Sequence, residues 1–370
     1  MAGRWWAAWA LALALVVGCQ TGTPAAPGRS GAAGGAGAAP AESAAALGGP
    51  ARPATTPADA PPLSAVVAHA GLTPNVSAVW AAADLDFDRQ YGLEITIQQT
   101  RSAAMSQAAI LAGEIDYAWT GLAPFLSARA GGSDVVFIAA TTNRTAAELI
   151  ARPPITTPDG LRGKTFGIQS FGGPPHIRTL AALRRLGLDP ERDGVQIIVT
   201  GDELTTAAAM LEGAIDGAAI SYTAATELKA RGYHSWDLAP LGIPEVTGIV
   251  ARPGLLRERP EESRRLLRSL AAANTYIRTI GSDEEARQRV AEVVGNRLRT
   301  APDRVLLQLD LVKDHLPADL RLHMDEAREL QSLTALVSPE VRDMRVEDWL
   351  DQSYLDQLQQ EEFFETLGRQ

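Results

Sequence analysis

The sequence predicts an α/β protein of two similar lobes, each a mostly parallel sheet flanked by helices, followed by a helical C-terminal extension. Three observations predict it. The run Ala109-Ile110-Leu111-Ala112-Gly113-Glu114-Ile115-Asp116-Tyr117-Ala118 recurs in its apolar, Gly, Ile, Asp and Ala positions as Ala209-Met210-Leu211-Glu212-Gly213-Ala214-Ile215-Asp216-Gly217-Ala218. Leu149-Ile150-Ala151-Arg152-Pro153 is echoed as Ile249-Val250-Ala251-Arg252-Pro253 at the same offset of 100. Each copy sits in a stretch that alternates strand and helix patterns, and the last third carries apolar residues at helical spacing.

The chain opens with Arg4 and an apolar stretch from Trp5 to Val17, which is short of the roughly 20 residues that span a bilayer. It reads as an export signal. Val16, Val17 and Gly18 lead to Cys19, the single cysteine. This junction resembles the lipobox of bacterial lipoproteins, where cleavage before the cysteine precedes its lipidation; an ordinary signal peptide with an incidental cysteine is the alternative. Acyl chains contribute about 0.8 kcal/mol per buried CH₂, enough in combination to hold a protein at a membrane surface without a spanning helix. From Gln20 to about Pro62 the residues are mostly Ala, Gly, Pro, Ser and Thr, which cannot build a core. A flexible coil of about 40 residues spans on the order of 35 Å, so this segment is a tether. The expected organisation is a signal peptide over 1–18, lipidated Cys19 and tether over 19–62, a first lobe over 63–152, a second over 153–249, and a return to the first lobe with C-terminal helices over 250–370.

A net charge of −10 without Lys/Arg-rich runs excludes nucleic acid as a partner. One cysteine excludes a disulfide within the chain and Cys-ligated metal.

In the first lobe, strands are expected over Ala65 to His69, Leu93 to Gln98, Asp116 to Trp119 and Val135 to Ala140. Helices are expected over Asn75 to Asp86, Ala103 to Ala112 and Pro124 to Ala130. The second lobe repeats the order, with strands over Thr165 to Gln169, Val195 to Thr200 and Gly217 to Ser221. Its helices are expected over Pro175 to Leu186, Thr205 to Leu211 and Ala224 to Ala230. Beyond them, Glu261 to Ile280, Glu284 to Val294 and Asp303 to Leu316 show helical periodicity.

In open α/β sheets ligands bind beyond the carboxyl ends of the strands, where helix N-termini present unpaired N–H groups. The first-lobe loops there supply Leu72, Thr73, Asn75, Arg101, Ser102, Trp119, Thr120, Gly121 and Asn143 as candidates. Those of the second supply Ser170, Phe171, Gly172, Gly173, His176, Asp202 and Tyr222, with Thr247 from the run ahead of Ala251. Arg101 and Arg144 suit an anion, Asp202 and Glu203 a cation or heterocycle, and Trp80, Trp119, Phe171 and Tyr222 a flat ring or apolar tail. The paired Ala151-Arg152 and Ala251-Arg252 read as crossover strands between lobes, hence the hinge of a clamshell.

Enzymatic readings find little support. Gly167-Ile168-Gln169-Ser170-Phe171-Gly172 lacks the spacing of a nucleophile elbow. Five histidines are scattered without a metal-binding pair, and Asp84-Leu85-Asp86-Phe87-Asp88 lacks the Gly and Glu that a calcium loop requires. No metal or cofactor is expected.

Gly113-Glu114-Ile115-Asp116-Tyr117-Ala118-Trp119-Thr120-Gly121, Pro158-Asp159-Gly160-Leu161-Arg162-Gly163-Lys164-Thr165-Phe166-Gly167-Ile168, Gly187-Leu188-Asp189-Pro190 and Val346-Glu347-Asp348-Trp349-Leu350-Asp351-Gln352-Ser353-Tyr354-Leu355 carry a resemblance over about Leu63 to Leu358. They resemble the solute-binding proteins of ABC importers for nitrate, taurine, aliphatic sulfonates and thiamine-pyrimidine precursors. The resemblance implies a type II periplasmic-binding fold, a tail packed on the first lobe, and a non-enzymatic monomer at the cell envelope. It also implies capture of a small organic anion, such as an alkanesulfonate or taurine, and delivery to a permease and its ATPase. Alternatives are a pyrimidine-precursor receptor or a ligand sensor for a signalling partner. In that family the ligand is commonly met by the loop after the second lobe's first strand, here Gln169 to His176. Gly172, Gly173 and His176 partly keep its shape, while Ser170 lies earlier and two prolines intervene.

Overall fold

The computed structural model describes residues 61–367 except 145, 146, 239, 242 and 244. The signal peptide, Cys19 and the tether up to residue 60 lie outside the described residues. Among these, no helix is long and apolar enough to cross a membrane.

The chain forms β1 (Leu63–His69), α1 (Ser77–Asp84), α2 (Phe87–Gln90), β2 (Leu93–Gln99), α3 (Ala103–Ala112), β3 (Tyr117–Gly121), α4 (Leu122–Ala130) and β4 (Val136–Thr142). It then forms β5 (Ala147–Ala151), β6 (Thr165–Ile168), α5 (Pro174–Arg185), β7 (Gln196–Val199), α6 (Glu203–Leu211), β8 (Gly217–Ser221), α7 (Tyr222–Ala230) and β9 (His234–Asp237). The remainder is β10 (Thr247–Ala251), α8 (Pro253–Glu258), α9 (Pro260–Thr279), α10 (Glu284–Leu298), α11 (Pro302–Val312), α12 (Met324–Thr334), α13 (Ser353–Gln360) and α14 (Phe363–Leu367). One sheet runs β2-β1-β3-β10-β4 and the other β7-β6-β8-β5-β9. β1, β2 and β3 are parallel, as are β6, β7 and β8, while β10 and β5 run antiparallel to their neighbours.

The internal repeat is built from matched polar contacts. Asp116 accepts the Val66 N–H at 2.8 Å, and Asp216 accepts that of Thr165 at 2.9 Å. Arg259 completes the first contact at 2.9 Å and Arg152 the second at 2.6 Å. Burial opposes ionisation of Asp216, yet the Thr165 N–H and the Arg152 guanidinium hold its carboxyl below the ordinary range. Gly113 and Gly213, at φ +78° and +75°, reverse the chain ahead of these aspartates, a conformation that side chains with a Cβ resist. Beyond β2 and β7, Thr100 bonds Ser106 at 2.6 Å and Thr200 bonds Thr206 at 2.7 Å.

Strand exchange corrects two expectations. β5, assigned by sequence to the first lobe, pairs in the second sheet, and β10 pairs in the first. The chain therefore passes from the first sheet to the second between β4 and β5 and returns between β9 and β10, ahead of the repeated Ala-Arg-Pro segments. Because β5 is antiparallel to β8, Ala151 lies opposite Gly217, the first residue of β8, and Arg152 reaches Asp216. Ala251 likewise lies opposite Tyr117, the first residue of β3, and Arg252 lies beside Gly113. Ala151, Arg152, Ala251 and Arg252 thus occupy the pole of each lobe away from the strand ends that carry the loops, not the links between lobes that the sequence suggests.

Trp80, Leu93, Leu266 and Leu270 are buried in the larger first-lobe core, and Phe166, Leu161 and Leu183 in that of the second. Trp80, offered by sequence as a stacking wall, is fully buried. The C-terminal segment packs along the first sheet: Phe137 donates to the Trp349 carbonyl at 2.8 Å, and Asp351 donates back to the Phe137 carbonyl at 2.9 Å. Trp349 is itself fully buried, its indole N–H on Gln331 at 3.2 Å. These bonds cover the edge that β4 would otherwise present to solvent.

Gly248 lies in the exchanged strand β10, where a Cβ would overlap the Ala139 carbonyl oxygen and the Phe137 ring. Gly248→Ala is expected to destabilise the protein by at least about 3 kcal/mol, read as a lower urea midpoint at unchanged slope.

Candidate functional site

The first lobe ends its central strands in a floor of hydroxyls. Trp119 donates its indole N–H to Thr141 Oγ1 at 3.0 Å, and Thr141 donates to the Thr247 carbonyl at 3.2 Å. The Thr142 and Thr247 hydroxyls bond at 2.7 Å. Asn274 on α9 donates to the Thr141 carbonyl at 3.2 Å and to that of Pro317 at 2.9 Å, tying this floor to the C-terminal helices. The β-branched threonines suit strand backbone, and their mutual bonds fix the direction of each hydroxyl. His69 closes the end of β1. Its Nδ1 bonds the Gly71 carbonyl at 2.9 Å while Nε2 accepts the Trp80 N–H at 3.3 Å, so the ring is neutral with its proton on Nδ1.

The second lobe presents loops already occupied by its own groups. Gly172 donates to His176 Nδ1 at 3.1 Å, and the Phe171 ring stands edge-on to the imidazole at 5.2 Å. His176 therefore shapes this loop, with Nε2 left as its donor. Pro174 and Pro175 begin α5, so two helix-start positions carry no N–H. Asp202 caps α6 by accepting from Thr205 at 2.8 Å, and that backbone bond lowers its pKa. Glu203 reaches the Ser221 hydroxyl at 2.9 Å, where Ser221 caps α7. Carboxylates thus already sit against two of these helix dipoles.

Between the lobes, Tyr222 donates to Asp237 at 2.8 Å and its ring lies 6.5 Å from that of His315. His315 is buried, and its Nδ1 has no partner. Arg178 on α5 pairs with Glu245 of the return crossing at 3.0 Å, and its Nε is buried without a partner. Beside this pair lies a small, open-mouthed pocket walled by residues of both lobes.

The sequence candidates separate into three groups. Trp119, Thr120 and Thr247 are buried in or beside the hydroxyl floor, with Gly121 at its rim; Trp119 lies against Gly71, close to Leu72 and Thr73. At 7% exposure Trp119 is chiefly part of the core and leaves little surface for stacking. Ser170, Phe171, Gly172, Gly173, His176 and Tyr222 belong to the opposing loops, and the Asn143 N–H binds the His315 carbonyl at 3.0 Å in the first crossing. Ser102, like Asp202, serves a helix cap, accepting from Met105 at 3.2 Å, with exposed Arg101 preceding it; Asn75 lies in a single 3-10 turn, Pro74–Val76. Sequence reasoning did not single out Asn274, Arg178, Glu245 or Leu330. Their placement depends on strand exchange and on the tail, and neither leaves a local motif. Among the described residues no cluster of three or more His, Cys, Asp or Glu can hold a metal ion.

A family model described as NMT1/THI5 like matches residues 73–280. A putative periplasmic sulfonate-binding protein, SsuA, from Methylobacillus flagellatus KT superposes with a TM-score of 0.65 at 16% identity, covering 82% of this chain and 96% of that chain. The periplasmic aliphatic sulphonate binding protein SsuA from Escherichia coli gives 0.61 at 18%, covering 79% and 92%. The periplasmic nitrate-binding protein NrtA from Synechocystis PCC 6803 gives 0.55 at 12%, covering 81% and 89%. At these identities the likeness is one of fold, the two-lobed periplasmic-binding architecture. No curated protein sequence matches the chain.

Burial holds His69, His176 and His315 below the ordinary histidine pKa of 6.5, with Arg144 adding to the effect at His315. As pH falls below about 6.5 the unfolded chain takes up protons before the folded one. Stability is therefore complete above that pH and declines below it. The urea midpoint is expected to be lower at pH 5.5 than at pH 7.5, and His315→Gln to reduce the difference.

Proposed function

The chain belongs to the NMT1/THI5-like family, and from that premise we propose that it is the exported solute receptor of an ABC importer, closing two lobes on a small organic anion. The observation that carries the reading is the seam. A preset floor of hydroxyls on one lobe and helix-start loops on the other are joined through two strand crossings, an arrangement suited to hinged closure on a ligand. Leu72 and Phe171, on loops of opposite lobes, are 46% and 62% exposed. Apolar side chains so placed gain burial when the lobes close.

An anion is supported by Arg101 and Arg144, neither paired with a carboxylate among the described residues. The alkanesulfonates and taurine belong to this class. Asp202, Glu203 and Asp237 near the helix starts of the second lobe favour a second reading, a flat heterocycle with N–H donors such as a pyrimidine. Binding without chemistry is supported by the engagement of His176 Nδ1 with Gly172 and of the Tyr222 proton with Asp237, which turns each group toward its own lobe. The apolar leader, Cys19 and the Ala/Gly/Pro-rich stretch support lipid anchoring at the cell envelope, from which the tether lets the lobes reach a permease.

A thermal-shift titration with sulfonates, taurine, nitrate, pyrimidines and aromatic carboxylates tests the reading. A ligand bound only by the folded state at 100 times its Kd stabilises by about 2.7 kcal/mol, a rise of a few degrees. A rise with sulfonates or taurine supports the anion, a rise with pyrimidines alone supports the second reading, and no rise with any of them removes both. Cys19→Ser is expected to move the protein from the membrane fraction to the soluble fraction of expressing cells. Retention in the membrane fraction would count against lipidation.

A further inference from the structure

We infer that α12 and α5 form a third, releasable link between the lobes, a latch that holds the solute-free lobe angle and parts as the lobes turn. The inference rests on the hinged-receptor reading and concerns its motion, not its solute. The two crossings are covalent, between β4 and β5 and between β9 and β10. The third link is made only by side chains. On one side, α12 is fixed to the first lobe. Ala327 and Leu330 are buried in a core of that lobe with Phe125 and Trp349. The Gln331 amide donates to the carbonyls of Val341 and Met344 at 2.8 and 2.7 Å, and its oxygen accepts the Trp349 N–H at 3.2 Å. Just past the helix, Ser338 bonds Ser127 on α4 at 2.9 Å. On the other side, α5 is fixed to the second lobe, where Ala181, Ala182 and Leu183 are buried in its core.

Between these two anchored helices the contact is slight. Leu333 on α12, itself only partly buried, packs against the cores of both lobes. One helical turn earlier, Glu329 pairs with Arg185, the last residue of α5, and these side chains are 36% and 45% exposed. Such a pair holds weakly, because water competes for both partners and salt screens them. A single part-buried leucine likewise returns little apolar surface to water when it is drawn out. The contact therefore biases an equilibrium between lobe angles without locking it. Its position makes it sensitive to that angle. At the start of α5, Arg178 pairs with Glu245 on the return crossing at 3.0 Å, which keeps this end beside the pivot. Helical rise places Arg185 about 10 Å farther along. Because α12 travels with the first lobe and α5 with the second, a turn about the crossings displaces the Arg185 end most, and Leu333 and Glu329 must part from it.

The test needs no solute. Spin labels on α3 of the first lobe and α6 of the second, at Ala108→Cys and Ala208→Cys in a full chain carrying Cys19→Ser, report the solute-free distance between lobes by pulsed dipolar spectroscopy. Leu333→Ser removes the apolar contact, and Glu329→Arg sets two guanidinium groups against each other. Each is expected to broaden the distance distribution and shift its mean. Leu333→Met keeps an apolar side chain of similar volume and is expected to leave the distribution as it was. Circular dichroism establishes that each variant is folded, and Glu329→Arg, at the surface, decides the matter if Leu333→Ser does not fold. Broadening in either folded variant with Leu333→Met unchanged supports the latch. An unchanged distribution in every folded variant overturns it, as does equal broadening by Leu333→Met and Leu333→Ser. Either of these failures leaves the receptor reading to the thermal-shift titration, whose failure in turn would not alter the solute-free distances.

Discussion

Everything in this molecule that bears on a ligand depends on two strands that change lobes. β5 leaves the first lobe to pair with β8 and β9, and β10 returns to pair with β3 and β4. Each is a central, fully buried strand of a sheet whose other elements come from elsewhere in the chain. Neither lobe can complete its sheet without a strand reached through a crossing, so the two cores are built together. The proposed closure would turn the lobes about these crossings with both sheets intact.

The same exchange divides labour between the poles of each lobe. Away from the cleft, Asp116 and Asp216 fasten strand starts to backbone N–H groups and to arginines, an arrangement repeated in both lobes and fixed in place by ion pairs. Toward the cleft the lobes diverge. The first offers buried hydroxyls locked to Trp119 and Asn274, and the second offers loops capped by its own carboxylates and begun by two prolines. A common scaffold with unlike rims is what a site needs to hold two chemically different ends of one solute.

Much of the architecture was legible in the sequence because it depends on local signals. The strand at Gly217 to Ser221 and the helix at Ala103 to Ala112 lie where periodicity places them, and the offset of 100 marks equivalent positions down to the Thr100 and Thr200 contacts. Strand direction left no such mark. The Ala-Arg-Pro segments repeat because Arg152 and Arg252 serve equivalent lobe ends, and only the antiparallel pairing of β5 and β10 shows that those ends lie beyond the crossings. In the site, residue types on strand-to-helix loops were readable, whereas engagement was not: His176 braces its own loop through Gly172, while Trp119 as core and Leu330 as a wall of the seam follow from packing between distant segments.

The central claim is that the lobes close about the crossings when solute binds, and the distance between them reports it directly. Spin labels at Ala108→Cys on α3 and Ala208→Cys on α6, both exposed, in a chain carrying Cys19→Ser, would be measured by pulsed dipolar spectroscopy with and without a saturating bound solute. The account predicts a shift to a shorter, narrower distance distribution on saturation. An unchanged distribution under conditions where binding is independently confirmed would contradict it.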